Sequence, residues 1–416
     1  MKIVAEEKKI VMGLYFVTLL ASLLSIVDNV PLTGILLKVK YLYVIAIAFF
    51  YVKDGIFVWN RRFYFAFGLV VVHTVLYGLI FINPIIEGLS QVHFEQLATC
   101  YLIVLFTVLY VYKKQCYTEV LEMSWLALAV MILWCAFTHP GDFVNPIYFV
   151  NIFSRMERFR APFGMGDVNF CGNYCLYMLI VSVLVGMEWK KQKKKVDKRI
   201  RYVVLFVNFV ALYMLFSTAS RSAILSMALF VGVGLLLRYK DILWKHWRVI
   251  VAVAGGLTVV ALAVLIPTGV LADIWVQSNR EGNMSINFPY FVLHGDFMNG
   301  MGYMDNAGFL NQMFGYATTA MDVYYLYIVF STGILGSVLI FGQMIYLLYC
   351  LLRYSKTEGR DQALSLFTMM LFYAVWQVNY MNCRYWTGIV HMVVLFMFLL
   401  RIEEEKDTYL IQLKRR

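Results

Sequence analysis

Charge is scarce in this sequence: Asp, Glu, Lys and Arg together make up 15% of its 416 residues, where a soluble globular domain carries about a quarter. Too few charged groups are present to solvate a globular surface. Proline is also rare, with seven residues, which excludes a proline-rich linker. No low-complexity tract and no internal repeat is present. The seven cysteines form no disulfide framework and no zinc-ligand spacing. Cys100, Cys116, Cys135, Cys171, Cys175 and Cys350 fall in or beside apolar runs, where cysteine serves as small apolar filler. Cys171 and Cys175 are four apart and share a helix face. A phosphate-binding loop of the Walker type, a dinucleotide fingerprint and a zinc-protease helix are all missing.

Apolar residues dominate instead, at 62%, with a mean hydropathy of +0.71. Many runs are long enough to cross a hydrocarbon core about 30 Å thick. In lipid every backbone polar group must be paired internally, so such runs are helices. They do not alternate, which excludes the strands of a membrane β-barrel. The expected fold is all-α: a polytopic transmembrane bundle of about twelve spans forming a single integral membrane domain over residues 1–416. The spans are placed at 11–27, 34–52, 63–82, 96–112, 121–138, 168–187, 202–218, 222–237, 249–268, 323–350, 363–381 and 385–400. The first run follows Lys2, Lys8 and Lys9 like a signal peptide. The segment Asp28-Asn29-Val30-Pro31 after it is no small-residue cleavage site, so it is read as a retained span.

The net charge of +11 would suggest nucleic acid in a soluble protein. Here its distribution points to the bilayer. With the N-terminus in the cytoplasm and spans alternating, the cytoplasmic segments hold 28 of the 36 Lys and Arg residues. Basic residues accumulate on the cytoplasmic side of membrane proteins, and shifting the register by one span reverses the bias. Both termini are therefore expected to be cytoplasmic. Eight bases remain outside: Lys38, Lys40, Arg155, Arg158, Arg160, Arg221, Arg280 and Arg384. Two external loops are long: 139–167, and 269–322 between spans 9 and 10. Long loops over a helical scaffold commonly carry function. The second holds Asp273, Glu281, Asp296, Asp305 and Asp322 against the single base Arg280. Its apolar stretch 288–293 suggests that it folds against the membrane face.

External arginine is the exception here, so these residues are the first candidates for chemistry. Arg155, Arg158 and Arg160 fall within six residues just before span 6. A guanidinium binds phosphate oxygens bidentately and keeps its charge. Anchoring to lipid phosphates, or pairing with Glu157 and Asp167, explains the same spacing equally well. Arg221 stands in Ser217-Thr218-Ala219-Ser220-Arg221-Ser222-Ala223, between two spans with almost no loop. The backbone must turn sharply there, and an arginine ringed by hydroxyls is expected to face a polar cavity. The segment Arg160-Ala161-Pro162-Phe163-Gly164-Met165-Gly166-Asp167-Val168-Asn169 makes a tight re-entry into span 6. Asp167 suits a helix N-cap, whereas Asn169 in an apolar first turn is harder to explain as packing. His294 and Asp305 in the second loop, and Asp322 at its end, are candidate general bases. His73 and His391 fall mid-span, where hydrogen bonds to neighbouring helices are expected. Asp-x-Asp, which holds a metal against diphosphate in many cytoplasmic glycosyltransferases, does not occur.

On three elements in order, the sequence resembles the O-antigen polymerase and ligase superfamily, the Wzy-type proteins and their relatives. These are the Arg160–Asn169 segment after a long external loop, the Ser220-Arg221-Ser222-Ala223 turn between two spans, and a large external loop followed by a span with paired glycines, Gly333 and Gly336. They cover roughly residues 150–345. Pro162 stands where the family often has glycine, and Val168 where it often has proline. Asp322 occupies a slot that is commonly histidine in ligase-like members, which favours a polymerase over a ligase. The resemblance implies polymerisation of undecaprenyl-diphosphate-linked oligosaccharide units into an O-antigen, capsular polysaccharide or exopolysaccharide at the outer face of a bacterial cytoplasmic (inner) membrane. Arg160 and Arg221 would bind the diphosphate, with Arg158, Asn169 and Arg280 as further substrate contacts and Asp305, Asp322 or His294 as base. No metal and no cofactor is expected. The partners implied are the lipid-linked oligosaccharide and the bilayer, with a chain-length regulator and a flippase beside them, and no nucleic acid. Two alternatives stay open: a ligase transferring glycan to a lipid A core or a protein, and a flippase for the same lipid-linked substrate. A flippase should line a path with polar residues mid-bundle, and spans 1, 2, 4, 5 and 9 are almost free of them.

Overall fold

The computed structural model describes residues 2–28, 38–81, 87–147, 160–245, 297–300, 323–377, 386–402 and 408–412, with the isolated positions 30, 35, 149, 263, 291 and 292. The chain is an all-helical, multi-pass membrane protein. Seven helices among the described residues are long and apolar enough to cross a bilayer. In chain order the main elements are α1 (Lys2–Leu24), α2 (Val39–Val52), β1 (Ile56–Asn60), α3 (Arg61–Val75), α4 (Glu87–Lys114), α5 (Tyr117–Thr138), α6 (Val168–Lys191), α7 (Lys198–Ser217), α8 (Arg221–Arg238), α9 (Tyr324–Arg353), α10 (Arg360–Tyr373), α11 (Trp386–Leu400) and β2 (Thr408–Gln412). A helix thus occupies the place of every span expected from the sequence except 249–268, of which position 263 alone is described.

Every side chain from Gly388 to Leu400 of α11 is buried, as in a helix that is apolar all round and sits at the centre of a bundle. Around it α1 packs on α2 and α5, α5 on α6, α6 on α7 and α8, α8 on α10, and α3 on α9. The outward faces stay apolar: Ile200, Val203, Leu205, Phe206 and Phe209 of α7 are all exposed, a surface suited to lipid. Hydroxyls and amides join the helices internally. Tyr15 Oη meets Ser124 Oγ at 2.9 Å, Tyr43 Oη meets Thr107 Oγ1 at 2.9 Å, and Trp125 Nε1 donates to Ser182 Oγ at 2.6 Å. Without water to compete, such bonds contribute to helix association in lipid.

Three features depart from regular spans. Just after α3, Leu76–Ile80 widens into a π-turn. Within α9, Gly333 breaks the helix with φ 60° and ψ −160°. Residues 297–300 of the second long loop lie against this break, where the amides of Ile334 and Leu335 donate to the carbonyls of Phe297 (3.0 Å) and Met298 (3.1 Å). Phe291 is buried and its ring lies 4.9 Å from that of Phe330. The described part of this loop therefore packs on the helical bundle. Finally, β1 pairs antiparallel with β2, Asn60 opposite Thr408. Asn60 also caps α3, its side chain accepting from the Phe63 amide at 2.8 Å.

Candidate functional site at the α7–α8 turn

The turn between α7 and α8 occupies Thr218, Ala219 and Ser220, so two long helices reverse direction over three residues. Ala219 adopts φ 49°, a left-handed conformation that side-chain-bearing residues rarely take. Hydroxyls satisfy the local backbone. Thr218 Oγ1 donates to the Leu215 carbonyl at 2.7 Å and accepts from the Ser220 amide at 3.3 Å, and Ser217 Oγ donates to the Tyr213 carbonyl at 3.0 Å. The backbone of α6 comes close to this turn. A Cβ on Gly172 would meet the Ser220 Cβ at 2.7 Å, so only glycine fits.

The segment 160–167 lies across this turn. The Ala161 amide donates to the Ser217 carbonyl at 3.2 Å. Phe163 (φ 50°), Gly164 (φ 73°) and Gly166 (φ 67°) take the chain back on itself through left-handed backbone. The Phe163 amide donates to Asp142 Oδ2 at 2.8 Å, and the Asp28 amide donates to the Gly164 carbonyl at 2.7 Å. Gly164 packs against the His139 ring, leaving no room for a side chain. The re-entry ends at Asp167, which caps α6 by accepting from the Asn169 amide at 2.7 Å.

Arg160 is consequently held at both ends of its guanidinium. Its Nη2 donates to Asn169 Oδ1 at 2.8 Å, and its Nε donates to the Thr218 carbonyl at 3.4 Å. Burial pushes the Arg160 guanidinium below its ordinary range, opposed by the negative charge of Asp167. Arg221, the first residue of α8, follows the same turn, three positions after Thr218, whose carbonyl Arg160 contacts. Two arginines sixty-one positions apart thus share one polar turn. Repulsion between them is unfavourable alone and is relieved by any anion that bridges them.

Of the residues expected at the site, the structure brings together Arg160, Arg221 and Asn169. Arg158, Arg280, His294, Asp305 and Asp322 lie outside the described residues. Among the described residues no group of three His, Cys, Asp or Glu side chains is placed to hold a metal ion. One turn below Asn169 on the same helix, Asn173 is 1% exposed and neither polar atom of its side chain has a hydrogen-bond partner among the described residues. A lone amide inside an apolar run was the only signal for it. His391 departs from expectation in the same way. Its ring packs 4.3 Å from that of Tyr177, but among the described residues neither ring nitrogen has a partner.

Comparison with protein-family models and with curated proteins finds no match for this chain.

Proposed function

We propose that the protein is a membrane glycan polymerase that joins oligosaccharide units carried on undecaprenyl diphosphate at the outer face of a bacterial cytoplasmic membrane. The observation that supports this most is the convergence of Arg160 and Arg221 on one rigid turn. In the proposed reaction an acceptor sugar hydroxyl attacks the anomeric carbon of the donor glycan. The bond to the diphosphate oxygen breaks, undecaprenyl diphosphate leaves with the electron pair, and the hydroxyl proton passes to a base, for which Asp305, Asp322 and His294 are the candidates. The two guanidiniums stabilise the negative charge growing on the leaving group. Arg158 and Arg280 add phosphate or sugar contacts. The Asn169 carbonyl fixes the plane of Arg160 through a bond it already makes. The reading includes twelve spans with both termini in the cytoplasm, which puts the α7–α8 turn outside.

The decisive experiment measures polymer formation from purified enzyme and lipid-linked substrate alongside membrane protein level. Removing one such transition-state contact typically costs about 100- to 1,000-fold in rate. Arg221→Ala should fall by that order at near-normal abundance. Arg221→Lys, which keeps the charge but loses the planar fork, should also be impaired. Normal polymer from well-expressed Arg221→Ala removes the residue from the mechanism. A parallel fall of protein and product assigns it to structure.

A transporter of the same lipid-linked substrate is the second reading. Asn173 and His391, buried polar groups without partners among the described residues, favour it, because intramembrane polar groups often line substrate or proton paths. Polymer made by the purified protein in detergent micelles, where no transport is possible, separates the two.

A further inference from the structure

At the end of the bundle opposite Arg160, a cavity of about 830 Å³ opens between the ends of α4, α5, α6, α9 and α11 and the turn 355–358. Helix α6 runs from the cap at Asp167 to Gln192 in this cavity, about 38 Å away at 1.5 Å per residue. The two sites therefore lie at opposite ends of α6. Volumes of this order hold whole small-molecule ligands.

The lining is cationic. Lys191, Arg353, Lys356 and Arg401 stand against Glu188 and Glu358. Both acids are engaged by the same lysine: Lys191 Nζ is 3.6 Å from Glu188 and also pairs with Glu358. Among the described residues no carboxylate is at ion-pair distance from Arg353, Lys356 or Arg401. Aromatic rings hold the two arginines without neutralising them, Arg401 lying 4.5 Å over Tyr117 and Arg353 5.9 Å over Tyr354. Thr118, Ser355 and Thr357 add hydroxyl donors to the wall. Compensating helix dipoles requires only bases near last turns. It does not require bases from α6, α9 and the end of α11 to converge on a single concavity.

We infer that this cavity is a second anion site, taking a phosphate-bearing group in a fork of Arg353, Lys356 and Arg401. Guanidinium and ammonium together match phosphate oxygens, and basic pockets between membrane helices recruit anionic headgroups. The same phosphate chemistry is offered by an anionic phospholipid of the adjacent leaflet and by a soluble phosphoester.

The test uses the full chain purified in maltoside micelles. Native mass spectrometry measures retention of phosphatidylglycerol against phosphatidylcholine, and thermal unfolding measures stabilisation by inorganic pyrophosphate. The variants are the exposed pair Arg353→Gln with Lys356→Gln, and as control Arg238→Gln, a base at the end of α8 outside the cavity. For a lipid site, wild type and control should prefer phosphatidylglycerol at least tenfold, and the double variant should lose the preference. For a soluble phosphoester, pyrophosphate should raise the melting temperature of wild type and control and fail with the double variant. Binding of neither probe, or equal binding by the double variant, overturns the inference. Pyrophosphate stabilisation that survives in the double variant and disappears in Arg221→Ala belongs to the other face and overturns it too.

Discussion

Asn169 offers a way to separate charge binding from architecture at Arg160. Its amide oxygen accepts from Arg160 at 2.8 Å. Asn169→Asp would replace that neutral acceptor by a carboxylate and strengthen the bond, since charge-assisted hydrogen bonds are roughly twice as strong as neutral ones. If Arg160 serves only to fix the loop, Asn169→Asp should match or exceed wild type in stability and product. If the guanidinium binds a diphosphate, the added negative charge competes with it. Polymer yield should then fall about tenfold or more, below that of Asn169→Ala, while melting temperature holds. Measuring yield and melting temperature for both variants decides between the two. The arginines and Asn169 were legible in the sequence because charge outside an otherwise basic-inside chain, and an amide in an apolar turn, are both exceptions. Their juxtaposition was not legible. It depends on Ala161 pairing with Ser217 and on Gly172 admitting Ser220, tertiary contacts that no spacing encodes.

Helix α9 shows how an uninterrupted apolar run can hide a break. Hydropathy reads residues 323–350 as one span because Gly333 costs the pattern nothing. Yet the chain there takes φ 60° and ψ −160°, and a Cβ would meet the backbone of Gly300 and Met298 at 2.6 Å. Gly336 is equally confined, by Thr332 and by the Tyr77 ring at 2.8 Å. The paired glycines thus have separate structural reasons: one admits a loop, the other a neighbouring helix with its π-turn. Gly333→Ala should lower stability by about 1–3 kcal/mol, the usual cost of a residue held in a glycine-only conformation. Gly342→Ala, where a Cβ meets nothing within 4 Å, should be neutral or slightly stabilising, as expected of alanine in a helix interior. Thermal unfolding in detergent compares them directly. A harmless Gly333→Ala would mean that the loop does not hold the break.

Across the whole molecule, the helical character was legible because lipid leaves the backbone no other choice, and a helix stands wherever a span was expected among the described residues. Orientation is a separate matter, carried by the 28 of 36 basic residues assigned to one side. Reporter fusions after Lys195 and after Arg416 should read cytoplasmic, and one near Asn283 external. A cytoplasmic signal near Asn283 would reverse the arrangement and put the α7–α8 turn inside. Because the sequence contains no Asp-x-Asp, polymer synthesis should persist in EDTA, and activity lost to EDTA and restored by magnesium or manganese would refute that expectation. The pairing of β1 with β2 bears on how the molecule is made. Asn60 opposes Thr408, so at about 5–20 residues per second the ribosome delivers the second strand roughly 20 to 70 s after the first. Until then the first strand presents an open edge, a template for wrong partners. The sheet therefore closes only once every helix between the two strands has been made. A chain stopped before residue 408 would leave that edge bare, with its amides and carbonyls open to whatever strand meets them first.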